Sequence, residues 1–232
     1  FASKGIFIAN KDETYFVENY SKKFGFNYDD GQFPIIQELL EGSLYDTTSF
    51  SINGKPNAIL TQKRVMTSWL KGGGGVVNRT TYSPEIINHA QKIINELEWS
   101  GHMEIDWIFN KRDQKFYFIE INPKFWGTTQ LTISAGYDYP YWNILMNKGI
   151  KVPENTPYKI GLTYRWIEEE LLAITNHSSN LFVFLWEFIK FFGRFFQFNV
   201  EYSFQFKDFK PFKGIIIETF WSIWKKNIRR KA

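Results

Sequence analysis

Cysteine is absent from all 232 residues. That excludes disulfide bonds, thiolate metal sites and a cysteine nucleophile, and it fits a reducing compartment, so the expected location is the cytoplasm. A long apolar run is missing too. The best candidate, Leu181 to Phe198, is interrupted by Glu187, Lys190 and Arg194 at helical spacing, which leaves too little to cross a hydrocarbon layer of about 30 Å. It reads as an amphipathic helix. The first residues have neither the basic nor the apolar part of a signal peptide, and Phe1 stands where an initiating methionine would. No internal repeat is visible. Charge of one sign is scarce outside the end of the chain: the formal net charge is +4, with the excess gathered in Lys225, Lys226, Arg229, Arg230 and Lys231. A nucleic-acid partner is therefore not expected.

Aromatic residues, at 19%, are abundant, and many fall after residue 180. The length allows one large domain or two smaller ones with a real core. The most informative stretch is Phe116-Tyr-Phe-Ile-Glu-Ile-Asn-Pro-Lys-Phe-Trp-Gly127. In a strand, residues two apart share a face, so Glu120 and Asn122 leave the sheet on one side. Upstream, His102 to Phe109 reads as a second strand, and Asn110 to Gln114 as the turn of a hairpin. Folding it about Asp113 sets Asp106 opposite Glu120. Opposed carboxylates destabilise an antiparallel pair, and two carboxylates with an amide oxygen suit a hard cation such as Mg²⁺. The apolar residues flanking Glu120 argue against a solvated surface hairpin.

Elsewhere, Ile6 to Ile8 reads as a short strand. Asn10 caps a helix, with Glu13 completing a capping box and Tyr15, Phe16 and Tyr20 on its apolar side. Phe33 to Leu40 reads as a buried strand. Leu44–Ile52 and Asn57–Ser68 pair around the Asn53-Gly54 turn, and Lys71 to Gly75 reads as a flexible loop. Ser83-Pro84 opens a helix in which Ile86, Ile87, Ala90, Ile93, Ile94 and Leu97 recur at helical period. Further helices are expected to about Ser134, at Pro140 to Asn147, Trp166 to Ile174, Phe182 to Phe196 and Ile215 to Arg229, with Ser203 to Phe212 partly extended. The expected class is α+β, an antiparallel sheet with flanking helices followed by a helical, aromatic-rich tail. The last helix, with Phe220, Trp221, Ile223 and Trp224 ahead of its basic cluster, could lie peripherally on an anionic inner membrane face.

Taken together, the Glu-x-Asn-Pro-Lys-Phe-Trp-Gly run, Asp106 ahead of it and the glycine-rich Gly72 to Gly75 resemble the C-terminal half of an ATP-grasp domain of the carbamoyl-phosphate-synthase-like, carboxylate-amine ligase type. The resemblance covers about residues 2 to 150 and is most specific over 101 to 127. It implies that Asp106, Glu120 and Asn122 hold two Mg²⁺ ions against the phosphates of ATP. It implies that Glu38, with the backbone of Leu39 and Leu40, receives the adenine, and that Asp46 meets the ribose. Lys63 or Arg64, of which strand alternation points only one inward with Arg64 preferred, would neutralise charge on the triphosphate. Lys4, in Ala2-Ser-Lys-Gly-Ile6, resembles the end of a glycine-rich loop that closes over phosphate. Arg79 and the glycine run resemble a loop near phosphate or acceptor. Lys124 stands where the family usually has arginine, and lysine makes no bidentate fork.

The family also carries a lysine-bearing strand and a Rossmann-like domain ahead of this region. Neither precedes Phe1, so the resemblance implies an N-terminally truncated piece of a longer ligase. Residues 1–38 would be the remainder of the small lobe, 39–150 the C-terminal lobe and 151–232 a helical extension. The implied chemistry is activation of a small-molecule carboxylate as an acyl phosphate for attack by an amine. The alternative is a nucleotide-binding module without turnover.

Overall fold

The computed structural model describes residues 8–9, 15–25, 35–69, 72–154 and 156–203, with 214, 217 and 221. They fall into two units, Phe1–Glu41 and Gly42–Ala232. In the first, helix α1 spans Phe16–Phe24 and stops at Gly25, whose left-handed backbone (φ 62°) lets its N–H return to the Ser21 carbonyl. Lys4, the Asn10 cap and most of the Ile6 to Ile8 strand lie outside the described residues. Residues 35 to 41 correct the expected buried strand: they have no regular structure, and Ile35, Ile36 and Leu39 are exposed. An apolar run becomes a strand only where another offers it a ladder, and among the described residues the sheet begins after it, at Gly42.

Among the described residues the second unit is built on a seven-stranded sheet. Strands β1 (Gly42–Ile52) and β2 (Lys55–Trp69) form the expected hairpin. Asn53 and Gly54, both at positive φ (49° and 74°), make the tight turn that the Asn-Gly pair favours. Strand β3 (Gly72–Thr81) pairs antiparallel with β2 and overturns the expectation of a glycine loop. Glycines carry no side-chain pattern, so a strand made of them is invisible to periodicity. Their price is an irregular ladder, with register shifts between Arg64 and Trp69.

Helix α2 (Pro84–Glu96) follows, then β4 (Gly101–Asn110) and β5 (Lys115–Asn122), and helices α3 (Thr129–Ala135) and α4 (Tyr139–Asn147). The segment after residue 150 contains more than helix. Strand β6 (Thr163–Arg165) joins β3, and β7 (Val200–Tyr202) runs parallel to β6, with helices α5 (Ile167–His177) and α6 (Leu181–Gly193) between them. The sheet order is β5-β4-β1-β2-β3-β6-β7.

Strand alternation sorts the core into two faces. Odd residues Met103, Ile105 and Trp107 of β4 meet Ile86, Ala90 and Ile94 of α2. Even residues Phe50, Ala58 and Leu60 pack under Leu131, Tyr139 and Trp142 of α3 and α4. Gly42 is fixed by sterics, since a Cβ there would sit 2.0 Å from the Phe109 carbonyl oxygen. Along the even face of β1, β2 and β4 the apolar half ends at Phe50 and Leu60, and a polar half begins.

Candidate functional site

The polar half is one register row. Glu120 of β5 opposes Asp106 of β4, which opposes Asp46 of β1, which opposes Gln62 of β2, which opposes Thr80 of β3. The adjoining row contributes Glu104, opposite Asn122. Asp46, Glu104 and Asp106 are all buried, and a ligand oxygen from each lies within 4.8 Å of the others.

Arg64 is two residues beyond Gln62 and shares its face. Its Nη2 meets Asp46 Oδ1 at 2.5 Å and Asp106 Oδ2 at 2.7 Å, its Nε donates to Asp46 Oδ2 at 3.2 Å, and its Nη1 donates to the Gly73 carbonyl at 3.2 Å. Every nitrogen of the guanidinium is thus engaged. Burial alone would lower the Arg64 pKa, but Asp46 and Asp106 outweigh it and raise it. One cation faces four carboxylates, so the row is short of positive charge. Burial, reinforced by Asp46 and Asp106, pushes the Glu104 carboxyl up to about 9. Burial and Asp46, opposed by Arg64, push Asp106 up to about 6. At neutral pH Glu104 therefore keeps its proton where a divalent cation would otherwise supply the charge.

The residues fit such a cation. Asp106 Oδ1 is buried and has no hydrogen-bond partner among the described residues, a costly state for a carboxylate oxygen unless something else coordinates it. The donor set is all oxygen, as Mg²⁺ requires. Gln62 Nε2 braces the row from the other side, donating to Asp46 Oδ2 and Thr128 Oγ1 at 2.9 Å each.

The remaining sequence candidates are placed as follows. Asp46, assigned to a ribose, sits instead in contact with Arg64 and Gln62 beside Asp106. Lys63 points to the opposite face, its ammonium 5.5 Å over the Tyr45 ring, and does not join the row. Arg79 pairs with Lys63 across the ladder and donates through Nε to Thr163 Oγ1 at 3.0 Å. Glu120 and Asn122 touch each other, Asn122 Nδ2 donating to Glu120 Oε1 at 3.1 Å. Their strand is less enclosed than its composition suggests. Among the described strands β5 is an edge, and Tyr117, Phe118 and Ile119 are exposed. The register slips there too: Asp106 faces Glu120 but Trp107 faces Phe118, so Ile119 is bulged out. Lys124 is exposed just after β5, and Glu38, Leu39 and Leu40 lie in the irregular segment of the first unit. Sequence reasoning missed Glu104 and Thr128. Glu104 carries the same signal as Asn122, a polar residue two positions from a named ligand on a strand.

A family model described as "ATP-grasp in the biosynthetic pathway with Ter operon" matches residues 35–170. The chain belongs to this ATP-grasp family, as an ATP-binding domain. Among solved structures it is similar to a complete multifunctional pyruvate carboxylase from Rhizobium etli, at 17% identity and a TM-score of 0.47, covering 57% of this chain and 15% of that one. It is also similar to a biotin carboxylase from Campylobacter jejuni in complex with a β,γ-ATP compound, at 12% identity and a TM-score of 0.44, covering 55% and 30%. This chain thus spans less than a third of either structure. No curated protein matches it.

Proposed function

We propose that this chain provides the metal-holding part of the ATP site of a ligase that joins a carboxylate to an amine. The observation that carries the reading is the buried row of carboxylates with one unpartnered oxygen, Asp106 Oδ1, in a chain of the ATP-grasp family. Asp106, Glu120 and Asn122 would hold Mg²⁺, with Glu104 and Asp46 close enough to complete the oxygen set. When bound, the metal offsets the negative charge of the phosphates.

In this reading Arg64 keeps Asp46 and Asp106 apart and charge-balanced, and presents its guanidinium edge beside the phosphates. Lys124, exposed directly after the Glu120 strand, supplies a cation to the transferring group. Lys63, on the opposite face, takes no part. The overall reaction breaks the bond from the γ-phosphorus of ATP to its bridging oxygen and forms a bond from that phosphorus to a substrate carboxylate oxygen, releasing ADP. An amine then displaces phosphate from the acyl carbon to give an amide. No protein nucleophile is required.

Calorimetric titration of ATP with and without Mg²⁺, followed by an ADP-release screen over carboxylates and amines, tests this. Metal-dependent ATP binding that Glu120→Ala and Asn122→Ala abolish supports the site. ATP binding unchanged in both variants removes it, and binding without ADP release leaves only a nucleotide-binding module.

A further inference from the structure

Helix α6 is turned inside out. Phe182, Leu185, Trp186, Ile189 and Phe192 are each about half exposed or more, and Phe196, just past the helix, is 86% exposed. They recur at intervals of three and four and so form one stripe. The ionic groups of the same helix are tied down instead: Lys190 pairs with Glu187 at 2.7 Å, and Arg194, at its end, reaches the buried Glu170 at 2.5 Å. A helix on the surface of a globular unit ordinarily shows water its polar side. A contiguous aromatic stripe of this kind marks a surface that something covers.

The chain itself indicates what. Beyond β7, residues 204–232 hold eight Lys and Arg against Asp208 and Glu218, a formal +6, whereas the whole chain is +4. The part carrying the stripe is thus net acidic and the segment that follows it strongly basic. The stripe offers no hydrogen-bonding group beyond the Trp186 indole, whereas the interface with a specific protein partner carries several. Trp186 also has the Lys190 ammonium 5.3 Å over its ring, an aromatic-cation pair suited to the headgroup level of a bilayer. Among the described residues no helix is long and apolar enough to cross a membrane.

We infer that α6 lies in the plane of an anionic lipid surface with its Phe182 to Phe196 stripe in the acyl boundary, and that the basic C-terminal segment supplies the charge attraction. Stable anchoring takes two such signals, here one apolar and one electrostatic. The inference does not depend on the nucleotide reading.

The test is flotation of the whole protein with vesicles of phosphatidylcholine alone and of phosphatidylcholine with phosphatidylserine. Binding is expected only to the anionic vesicles and falls as salt is raised. Each cation near such a surface contributes about fivefold in affinity, so Lys225→Gln with Lys226→Gln weakens binding roughly 30-fold. Ile189→Asp with Phe192→Asp abolishes it while leaving circular dichroism unchanged, since both side chains are exposed. Three results would overturn the inference. They are no flotation with anionic vesicles, flotation unaffected by the Ile189→Asp, Phe192→Asp pair, or a dimer seen by light scattering that this pair dissociates while the wild type stays off vesicles.

Discussion

Glu104→Gln separates a carboxyl that stores a proton from one that merely lines a strand. Glu104 is buried, and its carboxyl is pushed from 4.5 up to about 9 by burial and by Asp46 and Asp106. Below the unfolded value both states are protonated and Glu104 costs nothing. As pH rises the unfolded chain gives up its proton while the folded chain keeps it, so stability falls by about 1.4 kcal/mol per pH unit until the folded carboxyl also ionises near 9. Asp106 behaves likewise but only up to about 6. His102, lowered by burial, adds stability as pH rises to about 6.5 and nothing beyond. Between pH 7 and 8.5 Glu104 therefore acts alone among them. Over this window the metal-free protein should lose about 2 kcal/mol, or roughly 4–8 °C in Tm for a unit of this size. The assay is thermal unfolding in EDTA, wild type beside Glu104→Gln, whose amide keeps the shape but cannot ionise. The wild type should slope downward and the variant should be flat. Parallel traces would refute the reasoning, because they would show that Glu104 holds no proton in the folded state.

Two other substitutions probe the charge balance. Arg64→Met leaves Asp46 and Asp106 without their cation and should cost about 3–5 kcal/mol in urea unfolding, part of it recovered by added Mg²⁺. A loss under about 1 kcal/mol would mean that protons alone balance the row. Glu170 accepts from the fully buried Arg165 at 2.8 Å and from Arg194, so Glu170→Gln should likewise destabilise by about 3–5 kcal/mol. A negligible change would show that the Phe191 and Phe195 rings, 4.8 and 4.4 Å from the Arg165 guanidinium, suffice to hold it.

The alignment of the carboxylate row is legible in the sequence because it rests on period two. Asp106, Glu120 and Asn122 share a face by alternation, and the Asn53-Gly54 turn sets β1 against β2, which brings Asp46 and Arg64 into line. What was not legible depends on pairing rather than pattern. Phe33 to Leu40 has the composition of a buried strand but is irregular and exposed over its described part, and Gly72 to Gly75 has the composition of a loop but a partner strand. The three-residue strands β6 and β7 are too short to show any period, and each exists only through its neighbour. The bulge at Ile119 likewise belongs to the ladder, not to β5 alone. On α6 the helical period is legible but the direction of its apolar face is not, since periodicity does not say which side is water.

Mn²⁺ is a spectroscopically visible substitute for Mg²⁺, and its binding in the presence of ATP, followed by electron paramagnetic resonance, bears most directly on the carboxylate row. The wild type should take up Mn²⁺, and Asp106→Asn, which keeps the strand and removes one ligand charge, should weaken uptake tenfold or more, a loss of about 1.4 kcal/mol at least. Equal uptake by the two proteins would contradict the assignment of Asp106, and with it the row, as the place where the metal is held.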